Sequence, residues 1–188
     1  MKYAAIDIGS NAVRLLICTV FYKKHETVIQ KTSLVRVPIR LGEDVFTKGK
    51  VGRGKSKQLI STMQIFKVLM DVHKVVKYKA CATSAIREAL NGEILTRKIK
   101  KLAGVDIQII SGEQEAQIIF CPYFFDSLHY RKHYLFIDLG GGSTELTVFS
   151  KGKILVSTSF NLGTIRMIHN KDSKTNYILL KKWLKINL

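Results

Sequence analysis

Two short segments of this chain combine residue types that suit the handling of phosphate. Asp7-Ile-Gly-Ser-Asn11 and Asp138-Leu-Gly-Gly-Gly-Ser-Thr-Glu145 each place an aspartate at the end of an apolar run and follow it at once with a glycine-bearing turn. Glycines let the backbone approach an anion closely, and successive N–H groups in a tight turn form a concave nest for phosphate oxygens. A carboxylate beside such a nest can hold a metal ion directly or through water. Ser10, Asn11, Gly140, Gly141, Gly142 and Ser143 are therefore candidate phosphate-binding residues, and Asp7 and Asp138 candidate metal ligands. For one loop alone a plain hairpin turn would explain the pattern equally well. Two such loops, each led by an aspartate, argue for a paired device with two opposed jaws.

The elements that must position these loops are duplicated as well. Ala5-Ile-Asp-Ile-Gly-Ser-Asn-Ala-Val-Arg-Leu-Leu-Ile17 lies over Phe136-Ile-Asp-Leu-Gly-Gly-Gly-Ser-Thr-Glu-Leu-Thr-Val148, with Asp on Asp, Gly on Gly and one apolar frame. Leu41-Gly42 and Leu162-Gly163 then close the two units. The hydrophobic pattern predicts strands over 2–8, 12–22 and 26–39, with a turn at Lys23-Lys24-His25. Leu59, Met63, Phe66, Leu69, Met70 and His73 recur at helical spacing and predict a helix over 53–77. A strand over 78–82, a helix from near Ser84 to a stop at Asn91-Gly92, a helix over 94–102 and a strand over 105–110 follow. Ser111 and Gln114 form a capping pattern for the next helix, which Pro122 should kink or end. The second unit repeats the strands over 134–138, 144–149 and 154–160, with a turn at Lys151-Gly152-Lys153, and passes into helix.

The order, three strands and then alternating helix and strand, predicts an α/β fold of two lobes, 1–125 and 126–188, each with a mixed sheet. The second lobe reaches Leu188 after three strands and roughly two helices. It is therefore expected to be incomplete, as in a fragment, a truncated product or a reduced relative. Its first strand should then present an unpaired edge and an under-covered apolar face, which favours a homo-oligomer or aggregate.

Composition narrows the function classes without choosing among them. Of 188 residues, 46% are hydrophobic, and 31 Lys plus Arg against 14 Asp plus Glu give a net charge of +17, which would concentrate polyanions at the surface. The basic runs lack interleaved aromatics and any nucleic-acid motif, so no specific nucleic-acid partner is expected. The N-terminal apolar stretch contains Asp7 and Arg14 and cannot be drawn as a leader or a membrane span, and a cytoplasmic location without membrane association is expected. Cys18, Cys81 and Cys121 are odd in number and flanked by apolar residues, as buried thiols are in a reducing compartment. His129 and His133 lack further ligands and read as surface residues.

Four segments together resemble the exopolyphosphatase and guanosine pentaphosphate phosphohydrolase family, within the larger actin, sugar-kinase and heat-shock ATPase superfamily. They are Asp7-Ile-Gly-Ser-Asn11, Ala82-Thr-Ser-Ala-Ile-Arg-Glu-Ala89, Ile110-Ser-Gly-Glu-Gln-Glu-Ala116 and Asp138-Leu-Gly-Gly-Gly-Ser-Thr-Glu145. Their order and spacing match the family's amino-terminal domain over nearly the whole chain, and the resemblance implies duplicated ribonuclease-H-like lobes, the second truncated. It also implies hydrolysis of terminal phosphoanhydride bonds with Mg²⁺ as cofactor, on inorganic polyphosphate ahead of a phosphorylated guanosine nucleotide. Glu115 would be the general base that activates water, Asp138 and Glu145 the metal-binding and catalytic acids with Asp7 across a cleft, and Arg87 a substrate contact. The family commonly carries Glu where this chain has Gln114. An ATPase or kinase of the same superfamily, and an inactive polyphosphate-binding remnant, are the rival expectations.

Overall fold

The computed structural model describes residues 1–23, 26–119, 132–151, 153–169 and 173–188. These fall into two compact units, Met1–Ile109 and Ile110–Leu188. The expected boundary at 125/126 lies outside the described residues, as do Pro122, Cys121, His129 and the tips of both lysine-containing turns at 24–25 and 152.

In the first unit, β1 (Lys2–Ile8), β2 (Val13–Lys23) and β3 (Glu26–Val37) form an antiparallel meander, and β4 (Lys77–Ala82) joins β1 in parallel. With β5 (Gln108–Ile109) the sheet runs β3-β2-β1-β4-β5, a mixed sheet with β1 at its centre. Alternation decides which side chains go inward: Ile6 opposes Leu15 and Ile8 opposes Val13, and all four are buried. The helices over this face are α2 (Arg53–Val72) and α4 (Gly92–Ala103), which pack on each other. Leu59, Met63, Phe66 and Met70 of α2 and Leu95, Ile99 and Ala103 of α4 recur every three or four residues and enter the same core. Gly104 ends α4 in the left-handed conformation at φ 65°, its N–H donating to Lys100 O, and so supplies the ordinary glycine cap.

Several elements differ from the sequence reading: the helix expected over 53–77 ends at Val72 and the strand expected over 26–39 at Val37. The helix α1 (Leu41–Lys48) was not expected, because it is short and no side chain caps it; its entry residue Arg40 sits at φ 56°, ψ 50°. The helix α3 (Ser84–Glu88) is only five residues long. The strand expected over 105–110 shrinks to β5 because Tyr78 intervenes: its hydroxyl accepts the Asp106 N–H at 3.0 Å, removing a donor that would otherwise extend the ladder.

The second unit contains α5 (Gly112–Ile119), then β6 (His133–Leu139), β7 (Thr144–Ser150) and β8 (Lys153–Phe160), with α6 (Thr164–His169) and α7 (Ser173–Asn187) after them. Its described sheet, β6-β7-β8, is wholly antiparallel rather than mixed. A mixed sheet would need a parallel neighbour on β6, the place that β4 takes on β1. Leu146, Phe160 and Leu162 form a small core against Leu135, Leu180, Trp183 and Leu184, with the Phe160 and Trp183 rings edge to face at 6.2 Å. The helix α5 packs on β7 and β8, and so belongs with this unit. Among the described residues no helix is long and apolar enough to cross a membrane.

Because β6 is an edge strand of the described sheet and its Ile137 and Leu139 are 64% and 58% exposed, its backbone is protected on one side only. Amide exchange measured by mass spectrometry or NMR should be about tenfold or more faster in 134–139 than in 3–8, where β1 is paired on both sides. Equal protection would mean that β6 acquires a second neighbour.

Candidate active site

The glycine turn after β6 is shaped by the direction of its carbonyl groups. At its base Gly140 N–H donates to Ser143 O at 2.9 Å. Thr164 N–H donates to Gly140 O at 3.0 Å, Ile165 and Arg166 N–H donate to Gly141 O at 2.9 and 3.0 Å, and Arg166 Nε donates to Gly142 O at 2.7 Å. A trans peptide unit points its C=O and the following N–H to opposite sides, and none of the described peptide bonds is cis. Fixing three successive carbonyls on the start of α6 therefore turns the N–H groups of Gly141, Gly142 and Ser143 to the other side as one donor set, which is the geometry of an anion nest. The approach depends on Gly163. A Cβ there would lie 2.4 Å from Gly142 N and 2.5 Å from Gly141 C and O, which no side chain tolerates.

Beside this turn the register lines up a row of polar residues, one on each strand. Asp138 opposes Glu145, and Glu145 opposes Ser159. Directly opposed residues project from the same sheet face with Cβ atoms about 5 Å apart. Glu145 is 3% exposed and accepts a hydrogen bond from Ser159 Oγ at 2.7 Å, whereas Asp138 is exposed. Two like charges at this spacing repel by roughly 1 to 3 kcal/mol between aqueous and surface-like dielectric limits.

The helix α5 covers the other end of the row. Its start is the capping box expected from the sequence: Gln114 N–H donates to Ser111 Oγ at 3.1 Å and Ser111 N–H donates to Gln114 Oε1 at 3.0 Å. Gly112 meets β8 so closely that a Cβ on it would fall 2.6 Å from Ser159 Cβ and 2.8 Å from its Oγ. Glu115, three residues on, shares the Gly112 side of the helix. It is half-buried, with Oε2 sealed from solvent and accepting no hydrogen bond, although the residue makes other interactions. Glu115, Asp138, Glu145 and the 140–143 turn thus all belong to the second unit, with the start of α5 seated on Ser159 beside Glu145.

The first unit repeats the backbone of this arrangement with different charges. Gly9 N–H donates to Ala12 O at 3.1 Å, as Gly140 does to Ser143. Gly42 N–H donates to Ser10 O and Arg40 N–H to Asn11 O, both at 2.8 Å, so the N–H groups of Asn11 and Ala12 turn away as a smaller nest. Ser10 is buried and its hydroxyl shares a 2.8 Å hydrogen bond with that of Ser84, which ties the turn to α3. Asp7 opposes Arg14, the position that Glu145 fills in the other copy, and Arg14 Nη1 lies 2.7 Å from Asp7 Oδ2 with both side chains about half exposed. Arg14 is thus an ion-pair partner rather than a plain solvent-facing residue. Arg87, expected at the start of a helix, falls in the last turn of α3.

Ser159, Gly112 and Arg166 were not singled out in the sequence. Nothing but the register of β8 marks Ser159, and nothing but a close contact marks Gly112. Gly163 had left a signal as half of the repeated Leu-Gly pair. Among the described residues no three His, Cys, Asp or Glu side chains form a metal-binding group, so a cation here would take two carboxylates, Asp138 and Glu145, and fill its remaining positions with water and phosphate oxygens. That donor set is hard and oxygen-only, and it fits Mg²⁺.

Replacing Gly163 with Ala should push α6 off the turn and disorganise the donor set. Binding of inorganic phosphate or tripolyphosphate, followed by calorimetry, should weaken about tenfold or more while the far-ultraviolet circular dichroism stays unchanged. Unaltered binding would show that the turn does not need α6.

Residues 20–178 match the Ppx/GppA phosphatase family. Exopolyphosphatase 1 of Mycobacterium tuberculosis is 28% identical over 200 residues, covering 100% of this chain and 55% of that protein. The bifunctional 3-dehydroquinate synthase/phosphatase of Fusobacterium nucleatum is 32% identical over 199 residues, covering 98% of this chain and 30% of that protein. An exopolyphosphatase from Cytophaga hutchinsonii has a similar structure, with a TM-score of 0.80 and 29% identity over 92% of this chain and 54% of that one. The Ppx/GppA family member of Aquifex aeolicus gives a TM-score of 0.74 and 30% identity over 90% and 54%. The chain spans about half the length of the exopolyphosphatases it matches. On the extent of the family match, and on the fold that goes with it, this chain belongs to the Ppx/GppA phosphatase family.

Proposed function

We propose that the chain carries the hydrolytic site of an exopolyphosphatase, releasing terminal phosphate from inorganic polyphosphate by attack of water. The observation that supports this reading is the Asp138–Glu145 pair beside the turn of Gly141, Gly142 and Ser143, with the helix that bears Glu115 seated on Ser159 next to Glu145. The backbone donors would hold the oxygens of the terminal phosphoryl group and stabilise the charge they carry as the bond to the bridging oxygen breaks. Glu115 would take the proton from the attacking water as its oxygen bonds to phosphorus, and the bridging oxygen would leave with the shortened chain. Asp138 and Glu145 would hold Mg²⁺. When bound, this ion supplies neutralisation of phosphoryl charge and of the two facing carboxylates.

The first unit offers the same class of contact through the N–H groups of Asn11 and Ala12 and through Arg87, and Asp7 would serve a cation once released from Arg14. The net charge of +17 favours long polyanions at the surface, which places polyphosphate ahead of guanosine pentaphosphate as substrate. The similarity to exopolyphosphatases of Mycobacterium tuberculosis and Cytophaga hutchinsonii supports the same reading.

Phosphate release from polyphosphate, measured beside release from guanosine pentaphosphate and ATP, tests the reading. Polyphosphate should be turned over fastest; turnover of ATP alone would favour the ATPase alternative. Glu115→Gln should lower turnover by a factor of about 10² to 10⁴ with KM nearly unchanged, and undiminished turnover would remove Glu115 from the mechanism. Chelation by EDTA should abolish the activity and Mg²⁺ restore it; indifference to chelator would defeat the role of Asp138 and Glu145 as cation ligands.

A further inference from the structure

We propose that Ser159 is a positioning residue that sets both acids of the site at once, an inference that rests on the hydrolase reading above. Its hydroxyl donates to Glu145 Oε1 at 2.7 Å. Its Cβ and Oγ form the surface on which Gly112 lands, at distances that leave no room for a methyl group on α5. One small side chain therefore touches the carboxylate on β7 and fixes the seat of the helix that bears Glu115.

The chemistry of this position is restrictive. Glu145 is 3% exposed, and a buried carboxylate needs donors for its lone pairs. The Ser159 hydroxyl occupies Oε1 on the β8 side. By holding that oxygen it orients the carboxylate plane and so sets the direction of Oε2 relative to Asp138, which stands opposite on β6. Hydrogen bonds of this kind, made to a carboxylate that ligates a metal, orient the ligand and tune its affinity. The same residue must be small, since any longer side chain would lift the start of α5, and with it Glu115, away from β7. Serine meets both demands: alanine lacks the donor, and larger donors such as asparagine lack the space.

The two demands separate experimentally. In Ser159→Ala the helix keeps its seat but Glu145 loses its donor, so Mn²⁺ affinity, read by electron paramagnetic resonance without substrate, should fall about 10-fold or more, and kcat should fall with KM for polyphosphate nearly unchanged. Ser159→Thr keeps the hydroxyl but adds a methyl group where Gly112 packs, so it should retain most of the Mn²⁺ affinity while kcat falls. In Gly112→Ala the donor is intact and the helix is displaced, so kcat should fall while Mn²⁺ affinity holds. If Ser159→Ala lowers the melting temperature too far to assay, the threonine and Gly112 variants decide. A folded threonine variant with lost Mn²⁺ affinity, or a Gly112→Ala variant with full turnover, overturns the proposal, as does a folded Ser159→Ala protein with wild-type affinity and kcat. These outcomes leave an active wild-type chain and so count against Ser159 alone. A wild-type chain that neither binds Mn²⁺ nor releases phosphate overturns the hydrolase reading, and the role of Ser159 falls with it.

Discussion

Two carboxylates set side by side on a β-sheet repel one another, and the second unit is arranged around that repulsion. Asp138 and Glu145 are fixed opposite each other by the strand register and cannot move apart without breaking the ladder. One is exposed, the other buried under α5 and tied to Ser159. On the hydrolase reading proposed above, a cation bound by the pair would relieve that repulsion. The turn next to it then needs no charged side chain of its own. Its backbone N–H groups, oriented by carbonyl contacts to α6, supply a positive rim beside the negative pair.

The internal duplication makes the contrast visible. Both copies use an antiparallel pair, a turn closed by an N–H to C=O bond across three residues, and a following Leu-Gly that brings a helix start against the turn. The backbones agree and the charges do not: where β7 has Glu145, β2 has Arg14, and Asp7 is neutralised by a salt bridge of the surface kind, which contributes little to stability. A single position thus distinguishes a unit that stores negative charge from one that cancels it. Duplication kept the shape of the cradle and left its electrostatics free to diverge.

Much of this was legible in the sequence because it depends on short-range rules. Alternation located β1, β2, β3, β6, β7 and β8 to within a few residues, and Ser111 with Gln114 gave the start of α5, because strands and caps are set by neighbours in sequence. The loops and their acids were legible for the same reason, and because they occur twice. What could not be read were features made by contacts between distant segments. Ser159 gains its position only when β8 pairs with β7, Gly112 only when α5 lands on β8, and the loss of most of the strand at 105–110 only when Tyr78 reaches Asp106. The helix α1 escaped notice because it is entered through Arg40 in the left-handed conformation, which the sequence does not advertise; Lys55 Nζ helps hold that residue by donating to its carbonyl.

The contact between Gly163 and the 141–142 backbone has a mechanical side. At Gly163 the turn and the start of α6 touch main chain to main chain, and three backbone hydrogen bonds join them besides those from the Thr164 and Arg166 side chains. Side chains act as springs that can hop between rotamers, and at Gly163 there is none to yield. The turn and the helix start therefore behave as a single plate, and the cradle inherits the position of α6 rather than that of the strand that leads into it. Any force that tilts the short helix would re-aim the donor N–H groups with it, which makes α6 the lever of the site.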